Sequence, residues 1–196
     1  MMNLICGFLS GLLTKFVGDK MSETKKSKIA VGKLKQYIKL QSTDIDDLTF
    51  SAYELWELSF KCTELGLYFQ EPKTINIPRD FDSTRIQSYL SKCADSLNET
   101  LRVDLTALLR HIGNYDKLKQ EVKELNYDFD EQVSYHLYIE SLYIRRYILA
   151  LAYDWENAVS LKAEDHTHEQ LVSPLGLPVN IDSLRTKVMS ERRPRL

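Results

Sequence analysis

The sequence predicts an all-α protein: a multi-helix bundle with two long antiparallel helices and an N-terminal amphipathic helix. Three observations carry the prediction. Residues 131–161 contain no Gly or Pro, and the whole chain of 196 residues has only seven Gly and five Pro, too few for a turn-rich β fold. Apolar residues recur at steps of three and four along most of the chain, the spacing of one helix face. The composition, 43% hydrophobic and 28% charged, is that of a globular chain able to build a core rather than of a disordered one.

Residues 4–17, LICGFLSGLLTKFV, show the sharpest pattern. Leu4, Ile5, Phe8, Leu9, Leu12, Leu13, Phe16 and Val17 fall in pairs every four residues, with Cys6, Gly7, Ser10, Gly11, Thr14 and Lys15 on the other side. Covering eight such side chains is favourable by roughly 12 to 24 kcal/mol before ordering costs, so this face is expected to be buried by core, partner or lipid. The uncharged run of residues 1–14 falls short of the ~20 residues a membrane span needs. No basic segment precedes it and no small-residue cleavage site is evident, so a secretory signal is not expected. Gly7 and Gly11 have the GxxxG spacing that lets helices approach closely.

Lysines follow. Residues 1–40 hold eight Lys against Asp19 and Glu23, a charge of +6; residues 41–160 hold 12 basic and 21 acidic side chains, −9; the remainder is +1. A basic head on an acidic body points to an anionic contact for the head. Lys25, Lys26 and Lys28 form its densest cluster, and each lysine near an anionic lipid surface adds about 1 kcal/mol.

Residues 22–28 read as a polar linker and 29–40 as a short basic helix bearing Ile29, Leu34, Tyr37, Ile38 and Leu40. Ser42, Thr43 or Asp44 offers an N-cap for a helix over 44–69 that Gly66 weakens near its end. Pro72 and Pro78 bracket an extended stretch. A long helix is expected over 83–112, closed by Gly113 and Asn114, and a shorter one over 116–126. Asp130 then caps the central helix, 131–161. Its main stripe is Leu137, Ser141, Ile144, Ile148, Leu151, Trp155 and Val159, with a second strip of Tyr138, Leu142, Leu149 and Tyr153. A helix with two apolar strips is covered from two sides. The tail is irregular, with Pro174 and Pro178, and carries one short helix over 181–189. The expected organisation is thus an amphipathic helix over 1–21, a helical bundle over 22–162 and an irregular tail over 163–196.

Chemistry is sparse. Glu140, Arg145 and Arg146 lie on the central helix, where a partly buried guanidinium demands a carboxylate or phosphate partner. They are the candidate anion or interface site, with ordinary pairing to acids on neighbouring helices as the simpler reading. His166 and His168 with Glu164, Asp165 and Glu169 make an HxH cluster, but no further ligand completes a metal site, so neither metal nor cofactor is expected. His111 and His136 stand alone in the sequence. There is no phosphate-binding Gly-rich loop, nucleophile elbow or HExxH motif, and no catalytic centre is expected. Cys6, Cys62 and Cys93 are odd in number and lack framework spacing, as in a reduced cytoplasmic protein.

These readings converge on a non-enzymatic helical interaction protein. It associates through its N-terminal helix with a membrane surface or a partner helix, as a cytoplasmic protein peripheral to the inner face of a membrane, with a protein partner or a second copy of itself. The alternative is a helical subunit of a larger complex whose basic head contacts nucleic acid. The acidic body and the shortage of aromatics among the lysines weigh against that alternative.

Overall fold

The computed structural model describes residues 2–64, 66, 81–124, 130–155 and 167–191, with side chains from residue 18 to 190 among them. The described residues form helices and no strand: α1 (Met2–Gln41), α2 (Ile45–Thr63), α3 (Ser83–Cys93), α4 (Glu99–Glu124), α5 (Glu131–Tyr153), α6 (His168–Val172) and α7 (Ile181–Glu191), with 3-10 turns at Ala94–Ser96 and Ser173–Leu175. No helix among the described residues is long and apolar enough to cross a membrane.

The N-terminal region departs from expectation. In place of a helix, a linker and a second helix, α1 runs unbroken for 40 residues, about 60 Å at ~1.5 Å per residue. The reason is local: residues 22–28 contain neither Gly nor Pro, and Glu and Lys are good helix formers. Its C-terminal part anchors it, with Ala30, Leu34, Tyr37 and Ile38 buried against α3 and α5.

Helix α2 starts after Asp44 and ends at Thr63. Glu64 is its C-cap, and Gly66, two residues beyond, has φ 59°, a left-handed conformation that glycine adopts without strain; it lies past the helix and not in its last turn. The expected extended stretch bracketed by Pro72 and Pro78 lies outside the described residues.

The long helix expected over 83–112 is broken. After the turn at Ala94–Ser96, Leu97 is extended (φ −93°, ψ 145°), and Asn98 Oδ1 accepts from the Leu101 backbone N–H at 2.8 Å. Asn98 therefore caps a new helix where apolar spacing alone ran straight through. Conversely, Gly113 and Asn114 end nothing. Helix α4 continues through them to Glu124, because Ile112 and Tyr115 are buried and Asn114 bonds to α5 instead of capping.

Asp130 caps α5 as expected, accepting from Gln132 N at 2.8 Å and Val133 N at 3.2 Å. The helix stops at Tyr153, short of the expected 161, with Asp154 non-helical. Val159 and Leu161 lie outside the described residues. The two strips of α5 enter two hydrophobic clusters. Leu137, Ile144, Ile148, Leu151 and, past the helix end, Trp155 pack with α1, α3 and α4. Tyr138 and Leu142 pack with Ala52, Tyr53, Trp56 and Phe60 of α2 and with Leu171, Val172, Leu184 and Val188 near the C-terminus. Tyr153, at the end of the second strip, is 80% exposed, so that strip is a core face only over its first half.

The tail is more ordered than its prolines suggest. Thr167 and Gln170 form a capping box for α6, and Gly176 turns the chain with φ 63°. Asn180 Oδ1 accepts from Ser183 N at 3.0 Å while Ser183 Oγ accepts from Asn180 N at 3.0 Å. That reciprocal cap starts α7, whose Leu184 and Val188 close the second cluster.

Candidate functional site

The candidate contact region begins on α1. Residues 18–26 are exposed around the whole circumference, two and a half turns of helix, within which Thr24 Oγ1 donates to Lys20 O at 2.9 Å. At Ser27 the helix meets the body, its hydroxyl 2.5 Å from that of Ser96. Lys25, Lys26 and Lys28 are exposed. At 100° per residue, Lys20, Lys25, Lys26 and Lys28 point in four different directions, so they form a collar rather than a stripe. Leu4, Ile5, Phe8, Leu9, Leu12, Leu13, Phe16 and Val17 continue the same helix by backbone; their side chains lie outside the described set.

The second candidate, Glu140, Arg145 and Arg146, faces in more than one direction. Glu140 turns to α4, where its Oε2 is 2.6 Å from His111 Nδ1 and its Oε1 accepts from Asn114 Nδ2 at 3.1 Å. Arg145 turns to α2, and its Nε donates to Asp46 Oδ1 at 2.6 Å. Arg145 and Arg146 line a shallow groove of about 340 Å³ with Leu142, Leu149, Gln170, Leu171 and Pro174. The pairing of Arg145 with an acid of a neighbouring helix is the simpler of the two readings that the sequence allowed.

Sequence reasoning missed the partnership around His111. The ring is buried and stacks on Tyr143 at 4.8 Å and on Tyr147 at 5.6 Å between centroids. Tyr143 continues the chain of contacts, its hydroxyl 3.3 Å from His168 Nε2 on α6. Burial, followed by the negative charge of Asp104, raises the Tyr147 phenol above its ordinary range, against the pull of Arg146 and Arg110. The signal was available: His111 falls in the stripe of Leu101, Leu105, Leu108 and Ile112, and a histidine in a buried stripe calls for a partner. A His–carboxylate pair of this length orients an imidazole, but His111 does not line the groove of Arg145 and Arg146. It works as an interior brace between α4 and α5.

Other sites remain quiet. His168 begins α6, and His166 lies outside the described residues; no cluster of three metal-ligating side chains occurs among those described. Burial raises the thiols of Cys62 and Cys93, which disfavours the reactive thiolate.

Comparison of the chain with protein-family models, with curated proteins and with solved structures returns no match.

Proposed function

We propose that the protein acts by association rather than catalysis, using α1 as a projecting arm. The anchored end holds the arm to the bundle through Leu34 and Ile38, both fully buried. The far end carries the amphipathic face of Leu4, Ile5, Phe8, Leu9, Leu12, Leu13, Phe16 and Val17 to an anionic membrane surface. The collar of Lys25, Lys26 and Lys28 behind it adds attraction to acidic lipid. The observation that carries the reading is the unbroken α1 with every residue of its waist, 18–26, exposed. In this reading the protein is cytoplasmic and peripheral to the inner face of a membrane.

The Gly7 and Gly11 spacing favours a second reading, in which the same face packs on a partner helix or on α1 of another copy. We also read α4 and α5 as the pair of long antiparallel helices. Support comes from the contacts along them: Asn114 meets Glu140, whereas Tyr147, farther along α5, feels Asp104, farther back along α4.

Liposome flotation distinguishes the two readings. On vesicles rich in phosphatidylserine, the full chain is expected to float while a chain starting at Ser22 stays in solution. Replacing Lys25, Lys26 and Lys28 with Gln should weaken binding and flatten its salt dependence. Equal flotation of the full and shortened chains, or none in either, removes the lipid reading. Oligomer formation by the full chain alone would then favour the helix partner. Salt-sensitive oligonucleotide binding lost in the lysine variant would favour a nucleic-acid subunit.

A further inference from the structure

We propose that α7 is a displaceable strap over an aromatic groove of α2 and α5, and that the vacated groove takes α7 of a second copy. Leu184 and Val188 of α7 pack in one hydrophobic cluster with Tyr53, Trp56 and Phe60 of α2 and Tyr138 of α5. The two aliphatic residues stand four apart, on one face of their helix. The contact therefore has the form of an amphipathic helix laid in an apolar groove.

The attachment is narrow. Leu184 and Val188 are the buried residues of α7, whereas Ile181 is 37% and Met189 46% exposed. Other contacts run along the rim. Arg185 Nη2 lies 3.1 Å from Glu64 Oε2, with both side chains nearly half exposed, and Lys187 Nζ donates to the Tyr53 hydroxyl at 2.7 Å and lies 4.0 Å from Glu57 Oε2. Exposed ion pairs hold weakly and are screened by salt. With 11 residues, α7 is also shorter than the ~12–15 that stay helical alone in water, so its helix depends on docking.

The body does not depend on α7 in the same way. Among the described residues the other hydrophobic cluster holds none from α6 or α7, and it anchors α2 by Ile45, Leu48 and Leu55 and α5 by Ile144, Ile148 and Leu151. Undocking α7 thus vacates the groove while its walls stay in place, the pattern of a local opening below the global one. The helix also carries its own start. Asn180 and Ser183 cap it from within the same segment, and Gly176, in the left-handed region at φ 63°, turns the chain ahead of it.

Charge selects the occupant. The groove is rimmed by Glu57 and Glu64, and the Arg185 guanidinium also lies 5.9 Å from the Phe60 ring centroid. It calls for a helix with an aliphatic pair four residues apart and cations between them. A second copy's α7 meets each requirement, and exchange of an identical element is a low-cost route to a dimer. This inference is independent of α1 and of the membrane reading.

Hydrogen exchange on the full chain reads the strap, and a labelled peptide of residues 178–191 reads the groove. Amides of α7 are expected to exchange about 100-fold faster than those in the middle of α4 and α5, and faster still in high salt. The full-chain double variant Arg185→Glu with Lys187→Glu loosens its own strap, so it should bind the peptide about tenfold tighter than the parent does. The peptide carrying Leu184→Asp should not bind. Sedimentation of the parent at rising concentration is expected to show dimers that excess peptide dissolves. Exchange in α7 as slow as in α5, or a double variant that binds the peptide no tighter than the parent, overturns the strap. If the double variant does not fold, exchange in the parent decides. Peptide binding by a chain that stays monomeric overturns the second copy as occupant and leaves a foreign helix of the same pattern.

Discussion

His111 Nδ1 stands 2.6 Å from Glu140 Oε2 across the seam between α4 and α5, with Asn114 donating to the other carboxylate oxygen at 3.1 Å. The pair joins helices far apart in sequence at a place where burial leaves little water to replace either partner.

Replacing His111 with Ala should therefore destabilise the protein by about 1 to 3 kcal/mol, the cost of leaving a buried acceptor short of a donor. The loss stays below that of a fully buried ion pair because Asn114 remains on Glu140. Urea unfolding of His111→Ala, Glu140→Gln and the double variant should give a coupling of at least about 0.5 kcal/mol. Additive single effects would show that the two groups do not act together.

The anchor of α1 and its collar should behave differently. Leu34 is fully buried, so Leu34→Ala is expected to cost about 2 to 5 kcal/mol. Lys25→Ala, Lys26→Ala and Lys28→Ala each change an exposed position and should stay within about 0.5 kcal/mol. Thermal unfolding of the four variants checks the contrast, and a large loss at any of the lysines would mean that the arm packs on the body.

Gly113 sits inside α4 on an exposed face with ordinary helical φ, and an added Cβ meets nothing within 4 Å. The same holds for Gly32 in α1. Each Gly→Ala change should stabilise by about 0.4 to 1 kcal/mol, mainly by narrowing the unfolded ensemble. A destabilising Gly113→Ala would mean that α4 bends or breaks there after all.

Glu131 supplies a pH dependence. Burial, then the charges of Glu64 and Asp130, raise its carboxyl above the ordinary 4.5, despite Thr63 and Arg185. The folded state thus keeps the proton to higher pH than the unfolded state does, and stability falls as pH rises from 4.5 through the raised value. Glu131→Gln should be more stable than the parent at neutral pH, by less than about 1 kcal/mol because the side chain is partly solvated. The advantage should fade below 4.5, where the parent's Glu131 is protonated in the folded and the unfolded state alike. Denaturant titrations across that range measure it, and an advantage independent of pH would point to packing instead of charge.

Much of the helical pattern was legible. Asp130 read correctly as a cap because its side chain answers a purely local need, the free N–H groups of the next turn. The buried stripe from Leu137 to Leu151 read correctly because helical periodicity follows from backbone geometry alone. The breaks were harder. Apolar spacing continued across residues 94–98, where Asn98 caps a new helix, and a Gly–Asn pair suggested a stop where α4 continues. Either conformation was open locally, and contacts from α1 and α5 chose between them.

The chain's own sequence settled that this is a helical protein with a basic head, an acidic body and a two-stripe central helix, since each follows from residue order and a repeat of 3.6. Tertiary structure decided the rest: that Glu140 belongs with His111 and not with Arg145, that Tyr153 stays exposed, and that Trp56 is sealed among α2, α5 and the C-terminal helices. These are relations between segments tens of residues apart, set by which helix faces pack together, and no local pattern encodes the partner a side chain will meet.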